Sequence, residues 1–151
     1  KGKGRCQGCD KSFIHTKAQN HVESCQDAYS LPERSSGVKG FLIRIIDCDN
    51  RASAFWLYIT IPSNATFKKL DDYLRDTWVE CCGHLSSFEV DDTPIETHVD
   101  LRIDARARPM TTKLSTLLRE GLRFCYVYDY GTPTKLILEV LSVDAQCNPD
   151  R

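Results

Sequence analysis

The spacing Cys6-Gln-Gly-Cys9, eleven residues, then His21-Val-Glu-Ser-Cys25 constrains this chain more than any other feature. A Cys-x2-Cys turn presents two thiolates from one tight knuckle, with Gly8 relieving strain inside it. His21 and Cys25, four apart, share one face of a helix. Four such donors match the tetrahedral set of a structural zinc site. Thr16 followed by Gln19 reads as a capping box opening that helix. Phe13, four residues after Cys9, takes the place of the single core aromatic of a zinc finger. His15 does not fit the ligand spacing and reads as a surface residue. A segment of about 25 residues cannot fold on its own apolar area, so metal would supply the folding energy. The expectation is one structural Zn2+ per chain on Cys6, Cys9, His21 and Cys25.

The other cysteines stand at 48, 81, 82, 125 and 147. Cys48 and Cys125 lie in strand-like apolar text, where a free thiol behaves as a small hydrophobe. The set reads as a reduced, cytoplasmic protein with one metal site rather than a disulfide framework. No secretory leader is visible. The longest apolar runs, Phe41–Ile46 and Phe55–Ile61, fall far short of the ~20 residues of a membrane helix, so no membrane partner is expected.

The remaining text divides the chain into a finger (1–28), a Pro/Gly/Ser-rich linker (29–37), a periodic domain (38–145) and a tail (146–151). Of 151 residues, 41% are apolar, enough to give the third part a real core. Its two opening runs read as a hairpin, with Phe55, Leu57, Ile59 and Ile61 on one face. Thr66 caps a helix carrying Phe67, Leu70, Leu74 and Trp78 at helical spacing, with Asp71–Arg75 as an outer-face ion pair. Gly83 ends it. Strands are expected over 85–90 and 95–99, then an irregular Arg-rich stretch (100–110) and a short helix at Leu114–Leu118 closed by Gly121. A final hairpin covers 122–130 and 136–143. This order predicts an α+β domain: a mixed β-sheet with one principal helix, β-grasp-like.

Two chemical readings arise in this domain. Tyr126, Tyr128 and Tyr130 alternate along one strand and, with Trp56 and Tyr58, suggest an aromatic platform; the competing and commoner reading is that such a stripe packs under a helix or loop. Arg102, Arg106, Arg108 and Lys113 would give the platform a basic lip. His84 and Asp129 suggest an imidazole–carboxylate pair if their strands are neighbours, with Cys81 or Cys82 as an adjacent thiol. The competing reading makes His84 a helix-end residue and Asp129 a turn-former before Gly131.

Trp78 with His84-Leu-Ser-Ser-Phe88, and Tyr128-Asp-Tyr-Gly131, together with the Trp56 strand and the Thr66-Phe67-x-x-Leu70 helix start, resemble the Ri-plasmid (pRiA-four-b) ORF-three-like family over about residues 38–143. Members continue after the Tyr-Asp-x-Gly text with Asp, Trp and His. Here Thr132–Leu136 stands instead, so a polar cluster built from those residues is incomplete. The resemblance implies a fold and a mobile-element association rather than an activity. The leading expectation is a non-enzymatic zinc-binding adaptor, with protein or nucleic acid as its partner. The finger itself is basic, through Lys1, Lys3, Arg5, Lys11 and Lys17, while the whole chain carries a formal charge of only -1. The alternatives are a thiol/His-dependent enzyme or toxin-like factor using Cys81/Cys82, His84 and Asp129, and a regulatory protein with purely structural zinc.

Overall fold

The computed structural model describes residues 3–28, 38–48, 55–79 and 82–147. The expected linker and the turn at 49–54 lie outside them. The chain runs β1 (Lys3–Arg5), β2 (Ser12–Ile14), α1 (His15–Ala28), β3 (Val38–Asp47), β4 (Trp56–Pro62), α2 (Phe67–Leu74), a π-helical turn (Arg75–Val79), β5 (Ser86–Val90), β6 (Thr93–Glu96), β7 (Arg108–Pro109), a 3-10 turn (Leu114–Thr116), β8 (Arg123–Tyr128) and β9 (Thr134–Cys147). β1 and β2 form a small antiparallel ribbon. The other seven strands make one sheet in the order β4-β3-β9-β8-β5-β6-β7. The protein is therefore α+β with a mixed sheet, as the element order predicts. The mixed character comes from β6 and β7, which pair in parallel. The first and last long strands, β3 and β9, sit side by side and run antiparallel. β9 continues to Cys147, so the expected tail begins two residues later than its sequence suggests.

Strand periodicity assigns the two faces of the sheet. On β3 and β4 the odd-numbered residues Phe41, Ile43, Ile45, Ile59 and Ile61 face the main core, with Leu57 packed against it. Phe67, Leu70 and Leu74 of α2 complete that core and are fully buried. Thr66 caps α2 as expected, its side chain accepting from the Lys69 N–H at 3.2 Å. Phe55 departs from the pattern: it precedes β4 and is 61% exposed. The strand expected at 95–99 is β6, two residues earlier. Gly83 and Gly121 both take positive φ, at 73° and 76°, but neither caps the helix it was expected to end: the π-helical turn stops at Val79, and Leu117 closes the 3-10 turn, while the Gly121 N–H bonds the Val140 carbonyl.

The opposite face is covered on its β4 side. Leu42 lies there by register yet is only 1% exposed. The N-terminal unit packs on this side, with α1 against β4. The His15 and Trp56 rings lie 5.7 Å apart, and Glu23 acts electrostatically on the Tyr58 hydroxyl. His15 is thus an interface residue rather than a surface one, and its Nε2 is buried without a hydrogen-bond partner. Gly4 is part of the same contact. A β-carbon there would overlap the Trp56 ring, which is also braced edge-on by Tyr58 at 5.8 Å. Gly4→Ala is expected to cost about 1–3 kcal/mol by overpacking. Thermal unfolding followed by tryptophan emission will read it, and an unchanged midpoint would refute the tight seating of Trp56.

Candidate metal centre

The four sequence-predicted ligands converge. One donor atom from each of Cys6, Cys9, His21 and Cys25 lies within 4.8 Å of all the others. The Cys6 and Cys25 sulfurs are 3.8 Å apart, and Cys9 Sγ is 3.3 Å from His21 Nε2. Zinc–ligand bonds of about 2.3 Å to sulfur and 2.0–2.1 Å to nitrogen imply tetrahedral edges of about 3.8 Å (S–S) and about 3.6 Å (S–N). The donor set and spacing are compatible with zinc.

Local structure explains the convergence. The knuckle closes by two backbone bonds, Cys6 N–H to the Lys11 carbonyl (2.9 Å) and Asp10 N–H to the Cys6 carbonyl (2.8 Å). The left-handed residue is Asp10, at φ 60°, and not Gly8. Aspartate tolerates this conformation, and Arg5 holds its carboxylate at 3.1 Å. Helix α1 starts at His15, so Thr16 lies within its first turn. Gln19 donates forward to Glu23 rather than back, and the expected capping box does not form. Phe13 stacks on the His21 ring at 3.9 Å and 19°, orienting the imidazole.

Charge in the cluster is unevenly held. Burial pushes the Cys6 thiol up, but hydrogen bonds from the Cys9 backbone, the His21 side chain and the Gly8 backbone outweigh it and bring Cys6 down to about 6. Burial and the adjacent Cys6 sulfur push Cys25 up to about 11. Several thiolates this close together would form only with a cation among them.

The second group of expected site residues behaves differently. His84 Nδ1 and Asp129 Oδ1 are brought to 3.6 Å, too far for a hydrogen bond. Asp129 has φ 58° and its Oδ1 accepts from the Gly131 N–H at 3.0 Å, the geometry of a turn-former. Cys81 lies outside the described residues, and Cys82 is exposed. The aromatic platform is not formed: Tyr126 and Tyr128 point into the core, and Tyr130, 54% exposed, stands beyond the strand. The basic lip is also spent internally. Arg102 pairs with Asp100 and Arg106 with Asp104, while Arg108 donates to the backbone carbonyls of Ala105, Arg106 and Ala107. Cys48 and Cys125, read as small hydrophobes, are both exposed, because Cys125 occupies an outward position of β8 and Cys48 follows the end of β3.

What sequence reasoning missed lies beneath His84. Asp71 is 2% exposed, not on an outer face. It accepts from Arg75 Nε (2.9 Å), Ser86 Oγ (2.7 Å) and Tyr126 Oη (2.7 Å). Arg75 also donates to the Ser86 hydroxyl (2.7 Å) and the His84 carbonyl (2.8 Å), and lies 5.0 Å from the centre of the Tyr128 ring. This network ties α2 to β5 and β8. The signal for it is present in the sequence: Asp71 is four residues after Phe67 and three before Leu74, inside the apolar stripe. Burial, with the neighbouring Asp71 carboxylate, drives the Tyr126 hydroxyl far above its ordinary value of about 10. A pKa raised by folding gives stability that is full below the unfolded value and lost as pH rises. Stability should therefore fall above about pH 10, by up to ~1.4 kcal/mol per pH unit from this group. Urea titrations at pH 9 and 11 on the parent and Tyr126→Phe test this, since the variant should lose that part of the slope.

No family model matches the chain, and no curated protein matches it. Among solved structures, the crystal structure of a protein of unknown function, MM3350 from Methanosarcina mazei Go1, is similar, with a TM-score of 0.64 at 18% sequence identity. The match covers 74% of this chain and 64% of that one, so the chain spans less than two thirds of its neighbour. At this identity the likeness shows the fold alone. Among the described residues, no helix is long and apolar enough to cross a membrane.

Proposed function

We propose that the chain is a non-enzymatic binding module in which a structural zinc ion staples an N-terminal finger onto the back of the sheet. The observation that carries this reading is the convergence of four soft donors in a unit that also packs on Trp56. Such a finger does not behave as a base reader. In DNA-reading fingers the start of the helix enters the major groove. Here that part of α1 carries His15, against Trp56, and Ala18, which is buried. The favoured partner is therefore a protein or a small ligand rather than a base sequence. The resemblance to the Ri-plasmid ORF-three-like family adds a mobile-element setting to this proposal and no chemistry.

Two measurements test it. Elemental analysis of the purified protein should give about one zinc per chain, absent from Cys6→Ser. Titration with DNA and RNA duplexes and single strands should show only weak, salt-suppressed association without sequence preference. Tight binding to one sequence that persists at high salt would overturn the reading, as would a metal-free protein.

A further inference from the structure

We propose that the crevice between Leu85, Glu96 and Tyr130 binds the guanidinium head of an arginine side chain presented by a partner protein. This deepens the binding-module reading, and rests on it, by placing the partner's contact and naming its chemistry.

The crevice belongs to the β8-β5-β6 side of the sheet, across from the β4 strand on which α1 packs. It is lined by Leu85, Ser86, Glu96, Thr97, His98 and Tyr130 and measures about 90 Å³. Liquid water takes about 30 Å³ per molecule, so the space suits one side-chain head. It falls well below the roughly 300–1,000 Å³ of sites for drug-sized ligands. Strand pairing assembles it. Glu96 ends β6 opposite Ser87 of β5. The Asp129 N–H bonds the Leu85 carbonyl at 2.9 Å, which carries the β5–β8 pairing past Ser86 and Tyr128. Leu85 and Ser87 share a face, so Leu85 stands diagonal to Glu96, within reach of long side chains. Asp129, at φ 58°, turns the chain out of the ladder and leaves Tyr130 at the rim. The Ser86 hydroxyl is fixed between Arg75 and Asp71, 2.7 Å from each.

The chemistry of that lining selects the ligand. Glu96 has no ion pair and no side-chain hydrogen bond among the described residues. Leu85 and Tyr130 are 55% and 54% exposed. No lysine or arginine lines the space. Arg75, behind Ser86, is paired with the Asp71 carboxylate at 2.9 Å. Asp129 adds a second carboxylate next to Tyr130, 3.6 Å from His84 Nδ1. This field favours a cation over an anion. A guanidinium is planar and weakly hydrated, stacks on an aromatic face and gives a carboxylate two parallel N–H bonds. Glu96 and Tyr130 offer it both, and its aliphatic stem can lie along Leu85. A free amino acid would bring an α-carboxylate that no cationic side chain of the lining meets, so the arginine belongs to a chain.

The full chain is titrated with N-acetylarginine amide, with its lysine and citrulline counterparts and with free arginine, while backbone amide signals are followed by NMR. The expected result is saturable shifts centred on residues 84–87, 96–98 and 129–131 with the arginine amide. Citrulline, which keeps the shape and loses the charge, should bind about tenfold or more weakly. Glu96→Gln and Tyr130→Ala should each weaken the arginine amide several-fold and leave the thermal midpoint near the parent's, since neither side chain belongs to the core. Citrulline or lysine binding as tightly as arginine overturns the guanidinium assignment. Tighter binding of free arginine overturns the protein source, and no saturable shift at the crevice overturns the site. Zinc content is measured on the same sample. A zinc-loaded protein whose crevice signals stay unmoved sinks this site and leaves the staple standing; a metal-free protein that answers to arginine does the opposite.

Discussion

Stripping metal with a strong chelator, or replacing Cys25 by serine, is expected to unfold the N-terminal unit while the sheet domain stays folded. The unit has a two-stranded ribbon of three residues per strand and one helix, far too little apolar area to persist alone. In zinc-finger peptides the metal contributes an apparent ~10–16 kcal/mol at neutral pH, and that energy is the folding energy. Docking on Trp56 offsets only part of its loss. The observable consequences are loss of the helical signal of the 14-residue α1, rapid amide exchange over residues 15–28 and a change in Trp56 emission. The cooperative melt of the sheet should remain. Protection of α1 that survives complete metal removal would show that packing on the sheet, and not the metal, holds this unit.

The second large effect concerns Asp71. Asp71→Ala removes the acceptor shared by Arg75, Ser86 and Tyr126, and takes the carboxylate away from a fully buried phenol hydroxyl. Breaking a buried ion pair from one side costs about 3–5 kcal/mol, because the remaining groups stay buried without compensation. Urea unfolding should show this as a lower midpoint at an unchanged slope. Asp71→Asn keeps a hydrogen-bond acceptor while removing the charge, and should fall between parent and alanine variant. A loss below about 1 kcal/mol in Asp71→Ala would mean that water or a rearranged side chain replaces the carboxylate easily.

The Cys/His cluster was legible because its signal is chemical and local: residue types at the spacings coordination geometry asks for. So were the long strands and the Thr66 cap, where the side-chain period or a single hydroxyl decides the structure. The buried network was misread through its charge. An aspartate and an arginine four apart look like a solvated pair, yet the helical phase of Phe67 and Leu74 places Asp71 inward. Tyr126 and Tyr128 follow the packing alternative, and the sequence left the two open because alternation alone does not say which face is buried. Nothing local announces that α1 packs against β4 on the second face of the sheet. That contact depends on Gly4, His15 and Trp56, which are brought together only by the tertiary fold.

The pairing of β3 with β9 has a consequence for how the molecule is made. Asp47 is opposite Leu136 and Val38 opposite Cys147, so β3 must wait for some hundred residues of chain before its central neighbour exists. At ribosomal rates of about 5–20 residues per second this is a delay of roughly 5–20 s. The N-terminal unit needs no such wait: its ligands and ribbon are complete once Cys25 has emerged. Metal capture can therefore come first. Of the two parts, the N-terminal unit is then complete first, and it later packs on Trp56, close at hand while the exposed edge of β3 is most open to the wrong strand.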